Sequence, residues 1–194
     1  MHQYLLDTKY ASENLLLILT KERDLLNEKI LSRKTMIEAE KGLFDSMKES
    51  GFISEGIMEL YGFNKASENF LKEAEEILTF IVTITNPLSI IAGALLQIAK
   101  QGISFEYKSL SHCPHGRIIG KESLKNIIWQ GRNQAMHFEE GNYKKGVVDC
   151  FSNLEMEFGN RFKLTDKNLA YDVLMLLGWE SYGAYEQDMA LLLG

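Results

Sequence analysis

KESLKNIIWQGRNQAMHF, residues 121–138, is the stretch that decides how this chain folds. At about 100° per residue, Leu124, Ile127, Ile128, Gly131 and Ala135 share one sector of a helical wheel. That sector is the buried face of an amphipathic helix, which the spacing runs from about Gly120 or Lys121 to Phe138. Asn133 points away from it, and His137 stacks one turn later on the same exposed side. Arg132 flanks Asn133, with Trp129 and Met136 between the two in angle.

Beyond this helix, Glu140, Gly141 and Asn142 form a breaker. Further helical stretches follow at 144–158, at 166–179 and in a short segment ending DMALLLG. Before it, ISFEYKSLSHCPHGRIIG at 103–120 is the least helical part, with an extended piece at 103–107 and then a loop. Asn86 and Pro87 read as an N-cap and a first helical residue, so residues 64–102 form two helices meeting at a turn. The first is capped by Asn64 and carries Phe70, Ala74, Ile77, Leu78 and Ile81 on one face. The second ends near Gly102 as a C′ residue. Residues 77–99 hold no charge, a run of 23 that is long enough for a membrane span. The Asn-Pro pair inside it, with Ser89, Gly93 and Gln97, favours a buried helical hairpin instead.

In the N-terminal third, Leu15, Leu16, Ile18, Leu19, Leu25, Leu26, Ile30, Leu31, Met36 and Ile37 recur near helical spacing, in one long helix or two. GFISEGIMELYGF, residues 51–63, then turns the chain. The expectation is an all-α fold. Residues 1–62 form an N-terminal helical extension and 63–194 the main helical domain, the two making one unit.

Composition supports this. Two Pro in 194 residues are too few for the turns of an all-β protein. Two distant cysteines, Cys113 and Cys150, make no disulfide framework and read as free thiols of a cytoplasmic protein. MHQYLLDTKY lacks the basic start and apolar run of a secretion signal. The net charge of −6 argues against a non-specific nucleic-acid coat. The charge is uneven, however: residues 108–145 carry +4 and the remainder −10, which suits a local site for one anionic segment.

RNQAMH, residues 132–137, carries the chemistry. Arg132 offers a planar fork of donors that matches phosphate oxygens. His137 titrates near neutrality and can move a proton. Asn133 can hold either partner, or the substrate, by hydrogen bonds. Arg and His without paired carboxylates point to phosphodiester chemistry that uses no metal. In RNA the 2′-hydroxyl supplies the nucleophile, so the protein need only transfer protons and stabilise charge.

The pattern resembles the R-X4–6-H motif of HEPN domains, with Asn in the second place as is common there, near the end of a late helix of an all-α chain. The resemblance covers roughly residues 64–158. It implies a HEPN-like helical bundle, here with additional N- and C-terminal helices. It also implies a metal-independent endoribonuclease in which two protomers share one cleft, and cleavage that leaves a 2′,3′-cyclic phosphate. By position, Arg132 would stabilise charge on the phosphate, His137 would be the acid or base, and Asn133 would orient them. Relatives serve as toxins, in anti-phage defence and in RNA processing, so an antitoxin or another protein partner is a further expectation. Other relatives only bind nucleotides, RNA or proteins.

Trp129 and Met136 either pack against residues 103–119 or are covered by a second protomer in a homodimer. His115 and Arg117 are expected at the mouth of the cleft as phosphate contacts, joined by Lys121, Lys125, Lys144 and Lys145. No cofactor is expected. His112-Cys113-Pro114-His115 holds zinc-type ligands without a matching second pair, and no Gly-rich phosphate loop or Ser elbow is present.

Overall fold

The structure, a computed structural model, describes residues 2–49 and 63–194. The turn expected at 51–63 therefore falls, but for Phe63, outside the described residues. Among them the fold is all-α. The helices are α1 (Gln3–Glu49), α2 (Phe63–Tyr107), α3 (Leu124–His137), α4 (Lys145–Phe158), α5 (Ala170–Leu177) and α6 (Tyr182–Leu193). Three short 3-10 turns and one two-stranded hairpin complete it.

Two compact units are present, 1–21 with 86–194, and 22–85. The division falls inside both long helices, whereas the sequence placed its boundary at Gly62. Glycines mark where a chain can turn, but not where packing ends. In the smaller unit Leu26 is buried and Lys29 Nζ lies 5.8 Å over the Phe80 ring, while Leu25, Ile30, Leu31, Met36 and Ile37 are exposed. The face assigned to Phe70, Ala74, Leu78 and Ile81 lies outside the described side chains.

The larger unit is built around the second half of α2. Leu88, Ala92, Leu95, Leu96, Ala99 and Ile103 are all fully buried at helical spacing. Thr85–Tyr107 is long and apolar enough to cross a membrane, yet its stripe is covered by protein. Two expectations fail here. The helix does not break at Asn86-Pro87, and it starts at Phe63, so Asn64 lies within it. An internal proline costs about 3 kcal/mol through a lost donor and a ring clash. Thr83, whose carbonyl loses that donor, and Pro87 are both exposed, on a side of the helix open to solvent. Leu88, Leu95, Leu96 and Ile103 each contribute roughly 1.5–3 kcal/mol on burial, which offsets the defect.

Nor does the helix end at Gly102, and residues 103–107 are its last turn rather than an extended piece. Gly102 is a close-approach residue. A Cβ there would sit 2.8 Å from the Tyr4 ring, which is pinned by its hydroxyl donating to Ile98 O (2.7 Å) and stacked on Phe105. Lys108, at φ 62, takes the left-handed position that ends the helix, its N–H reaching Ser104 O. The first turns of α1 join this core through Leu5, Leu16 and Leu19.

α3 starts later than its pattern suggests. Ile118–Ile119 pairs antiparallel with Glu122–Ser123, Ile119 facing Glu122, across a Gly120-Lys121 turn. Gly120 has φ 60 and Lys121 does not have positive φ, the signature of a two-residue hairpin with Gly first. From Leu124 the wheel holds: Leu124, Ile127, Ile128, Gly131 and Ala135 are buried, with Gly131 against Val173 and Leu96. α5 begins at Ala170, four residues beyond Asp166, because Gln134 captures the preceding loop. Its amide donates to Lys167 O (2.7 Å) and accepts from Leu169 N (2.9 Å).

Candidate functional site

α3 projects Arg132, Asn133 and His137 into a cleft of about 580 Å³, closed on one side by Lys100 of α2 and on the other by residues 140–147. Gly141, at φ 64, ends the 3-10 turn Phe138–Glu140 that extends α3 and swings the chain back over the site. Tyr143 fixes that return, its hydroxyl bonding Phe138 O and Thr165 O (3.3 and 3.0 Å).

His137 is half exposed, and its Nδ1 lies 2.7 Å from Glu140 Oε1. A carboxylate only accepts, so Nδ1–H donates and Nε2 is the ring nitrogen left without that bond. This imidazole is set for proton transfer. The carboxylate neighbour would stabilise the imidazolium that forms when the ring takes a proton.

Arg132 is held differently. Its Nε donates to Gln97 Oε1 of α2, and Nη1 lies 3.5 Å from Asn133 Oδ1. Asn133 Oδ1 also accepts from Lys100 Nζ at 3.2 Å. Asn133 therefore links Arg132 to Lys100 rather than to His137. Its orientation is dictated from a distance by a ladder of polar side chains along α3. Glu122 is buried and can only accept, so Asn126 turns its NH2 to it (2.6 Å). Asn126 Oδ1 then accepts from Gln130 (3.2 Å), and Gln130 Oε1 accepts from Asn133 Nδ2 (3.3 Å). What remains at the end of the ladder is an oxygen aimed at the two cations. Asn153 of α4 secures Glu122 from the other side (2.7 Å).

Lys100 was not singled out from sequence. The signal was present: it is the first charge after the uncharged run of residues 77–99. Its ammonium lies 4.5 Å over the Trp129 ring. Burial, and the nearby Arg132 and Lys144, hold its pKa below the usual lysine value. Trp129 is thus half buried beneath Lys100 inside the cleft, while Met136 is 57% exposed.

Most of the remaining basic candidates do not converge there. Lys144 lines the cleft. Arg117 instead forks around buried Asp188 through Nε and Nη2 (2.8 and 2.9 Å), and Nη2 also donates to Leu177 O (2.6 Å), so that edge of its guanidinium is engaged in the fold. Trp179 Nε1 completes that site on Asp188 at 2.8 Å, and the carboxylate raises the Arg117 pKa. Lys125 is buried, with Nζ capping Leu110 O and Cys113 O (3.1 and 2.6 Å). Lys121 reaches Met156 of α4, Lys145 pairs with Asp149, and His115 is exposed outside the cleft lining. Among the described residues no group of three or more His, Cys, Asp or Glu side chains could hold a metal. Cys113 and Cys150 are free and buried, and burial raises both thiol pKa values. No family model, curated protein or solved structure matches the chain.

Proposed function

We propose that the chain is a metal-independent endoribonuclease of the HEPN type, acting in the cytoplasm as a homodimer, in a toxin–antitoxin or anti-phage setting. The observation that carries this reading is the cleft that Arg132 and a carboxylate-oriented His137, both on α3, line together. Glu140 is the one carboxylate among the described cleft-lining residues, and it is spent on His137. Such a site has a guanidinium for phosphate oxygens and a proton acceptor, the two elements that RNA self-cleavage requires.

In the step envisaged, the 2′-oxygen attacks phosphorus while its proton passes to His137 Nε2. The bond from phosphorus to the 5′-oxygen breaks, and that oxygen takes a proton from an acid. Products are a 2′,3′-cyclic phosphate and a 5′-hydroxyl. In the two-protomer arrangement, the partner's His137 is the acid.

The test is cleavage of a mixed RNA pool in EDTA, with product ends identified. Wild type should leave cyclic phosphates, and His137→Ala should lose roughly 10²–10⁴-fold in rate with unchanged melting. A second reading is a non-catalytic nucleotide- or RNA-binding module. It is favoured by Gln97 holding Arg132 and by the single imidazole in the described cleft lining. Wild type that binds RNA but leaves every product end unchanged would establish it.

A further inference from the structure

Lys100 and Arg132 come from different helices, yet both aim donors at one neutral oxygen, Asn133 Oδ1. Their other partners are neutral too: the Trp129 ring for Lys100 and Gln97 Oε1 for Arg132. Lys144 adds a third positive charge to the same cleft. Three cations lining one cleft repel one another, and the cleft's carboxylate is bound to His137. An anion of more than one oxygen would relieve that repulsion, and the Asn133 amide oxygen stands where one of its oxygens would be expected. The ladder from Glu122 keeps this oxygen facing the cations, so their spacing is preset before a ligand arrives.

We infer that Lys100 is a substrate-contacting residue that forms, with Arg132, a two-pronged clamp for one phosphodiester of a single-stranded polynucleotide, and that Lys144 takes a neighbouring phosphate. The inference rests on the nuclease reading for the identity of the polyanion. The clamp itself rests on the placement of Lys100, Arg132 and Asn133. The lowered Lys100 pKa is consistent with a charge awaiting its counterion.

The experiment measures binding of a 2′-O-methyl oligoribonucleotide, which cannot be cut, against salt concentration. It uses wild type, Lys100→Met, Lys100→Gln and Lys100→Arg, with thermal melting of each. Expected are about ten-fold weaker binding for the Met and Gln variants, a log–log salt slope shallower by about 0.7, and near-wild-type behaviour for Arg. Folded Met and Gln variants that bind with wild-type affinity and slope would overturn the clamp, whether or not wild type cuts RNA. Lys100-dependent binding by a wild type that never cuts would support the clamp and sink the nuclease. Should wild type bind no oligonucleotide, pyrophosphate titrated against Trp129 emission decides. A saturable change lost in Lys100→Met supports the clamp, and no change overturns it.

Discussion

At the scale of single residues, similar side chains have opposite uses here. Arg117 and Arg132 both looked like phosphate ligands, but Arg117 is locked to Asp188 and Arg132 to neutral amides. Arg117→Met should therefore cost about 2 kcal/mol, or roughly 4–8 °C in melting temperature, by stripping a charged hydrogen-bond partner from buried Asp188. RNA binding by that variant should keep the wild-type salt slope. Calorimetry and a salt titration check the two halves separately.

Lys100 should behave in reverse. Its pKa is lowered on folding, so the protonated form is the one the fold disfavours. Below the folded pKa that cost is fully present, and it fades as pH rises toward the ordinary lysine value. Lys100→Met should thus melt no lower than wild type near pH 7 while binding the oligonucleotide less well. Binding by wild type should weaken as Lys100 deprotonates, at a pH below 10.5. The titratable and charged neighbours that share this cleft are Arg132, Lys144, Glu140 and His137. A melting series and a binding series across pH measure both trends.

Among the elements, the two long helices show what a glycine does in each setting. Gly42 in α1 has nothing within 4 Å of where a Cβ would go, whereas Gly102 in α2 faces the fixed ring of Tyr4. Gly42→Ala should stabilise by up to about 1 kcal/mol through helix propensity. Gly102→Ala should destabilise by about 1–3 kcal/mol, since the ring must move from its bond to Ile98 and its stack on Phe105. Chemical denaturation of the pair measures opposite signs for the same substitution. α3 carries a comparable contrast along its length. Its apolar positions make the packing, and the polar series Glu122, Asn126, Gln130, Asn133 sets the orientation of the amide in the cleft.

For the whole molecule, charge decides how RNA can be held. An overall −6 repels a polyanion, so on the proposed reading contact would be confined to the cleft. If Lys100, Arg132 and Lys144 carry the binding, the log–log salt slope for a single strand should be roughly −2. If Arg117, Lys121, Lys125 and Lys145 contributed as well, it would be roughly −5. The measured slope separates the cleft alone from the wider set of phosphate contacts expected from sequence. Pairing of protomers is tested at the same scale. Met136→Lys, at a side chain 57% exposed, should turn a dimer into a monomer in sedimentation without lowering the melting of the monomer.

The sequence determined the all-α class, the buried face of residues 124–135 and the grouping of Arg132, Asn133 and His137 on one side. These follow from a period of 3.6 residues, which is a local property of the chain. It also set the breaker at Gly141. It misread Pro87 and Gly102, because whether a helix survives a proline, or needs a glycine, depends on which side faces water and which ring lies against it. Only the tertiary structure could bring Lys100 beside Asn133, 33 residues away, or show Arg117 spent on Asp188 across 71. Cations alike in sequence differ in what they face, and that is fixed by the packing of helices distant along the chain.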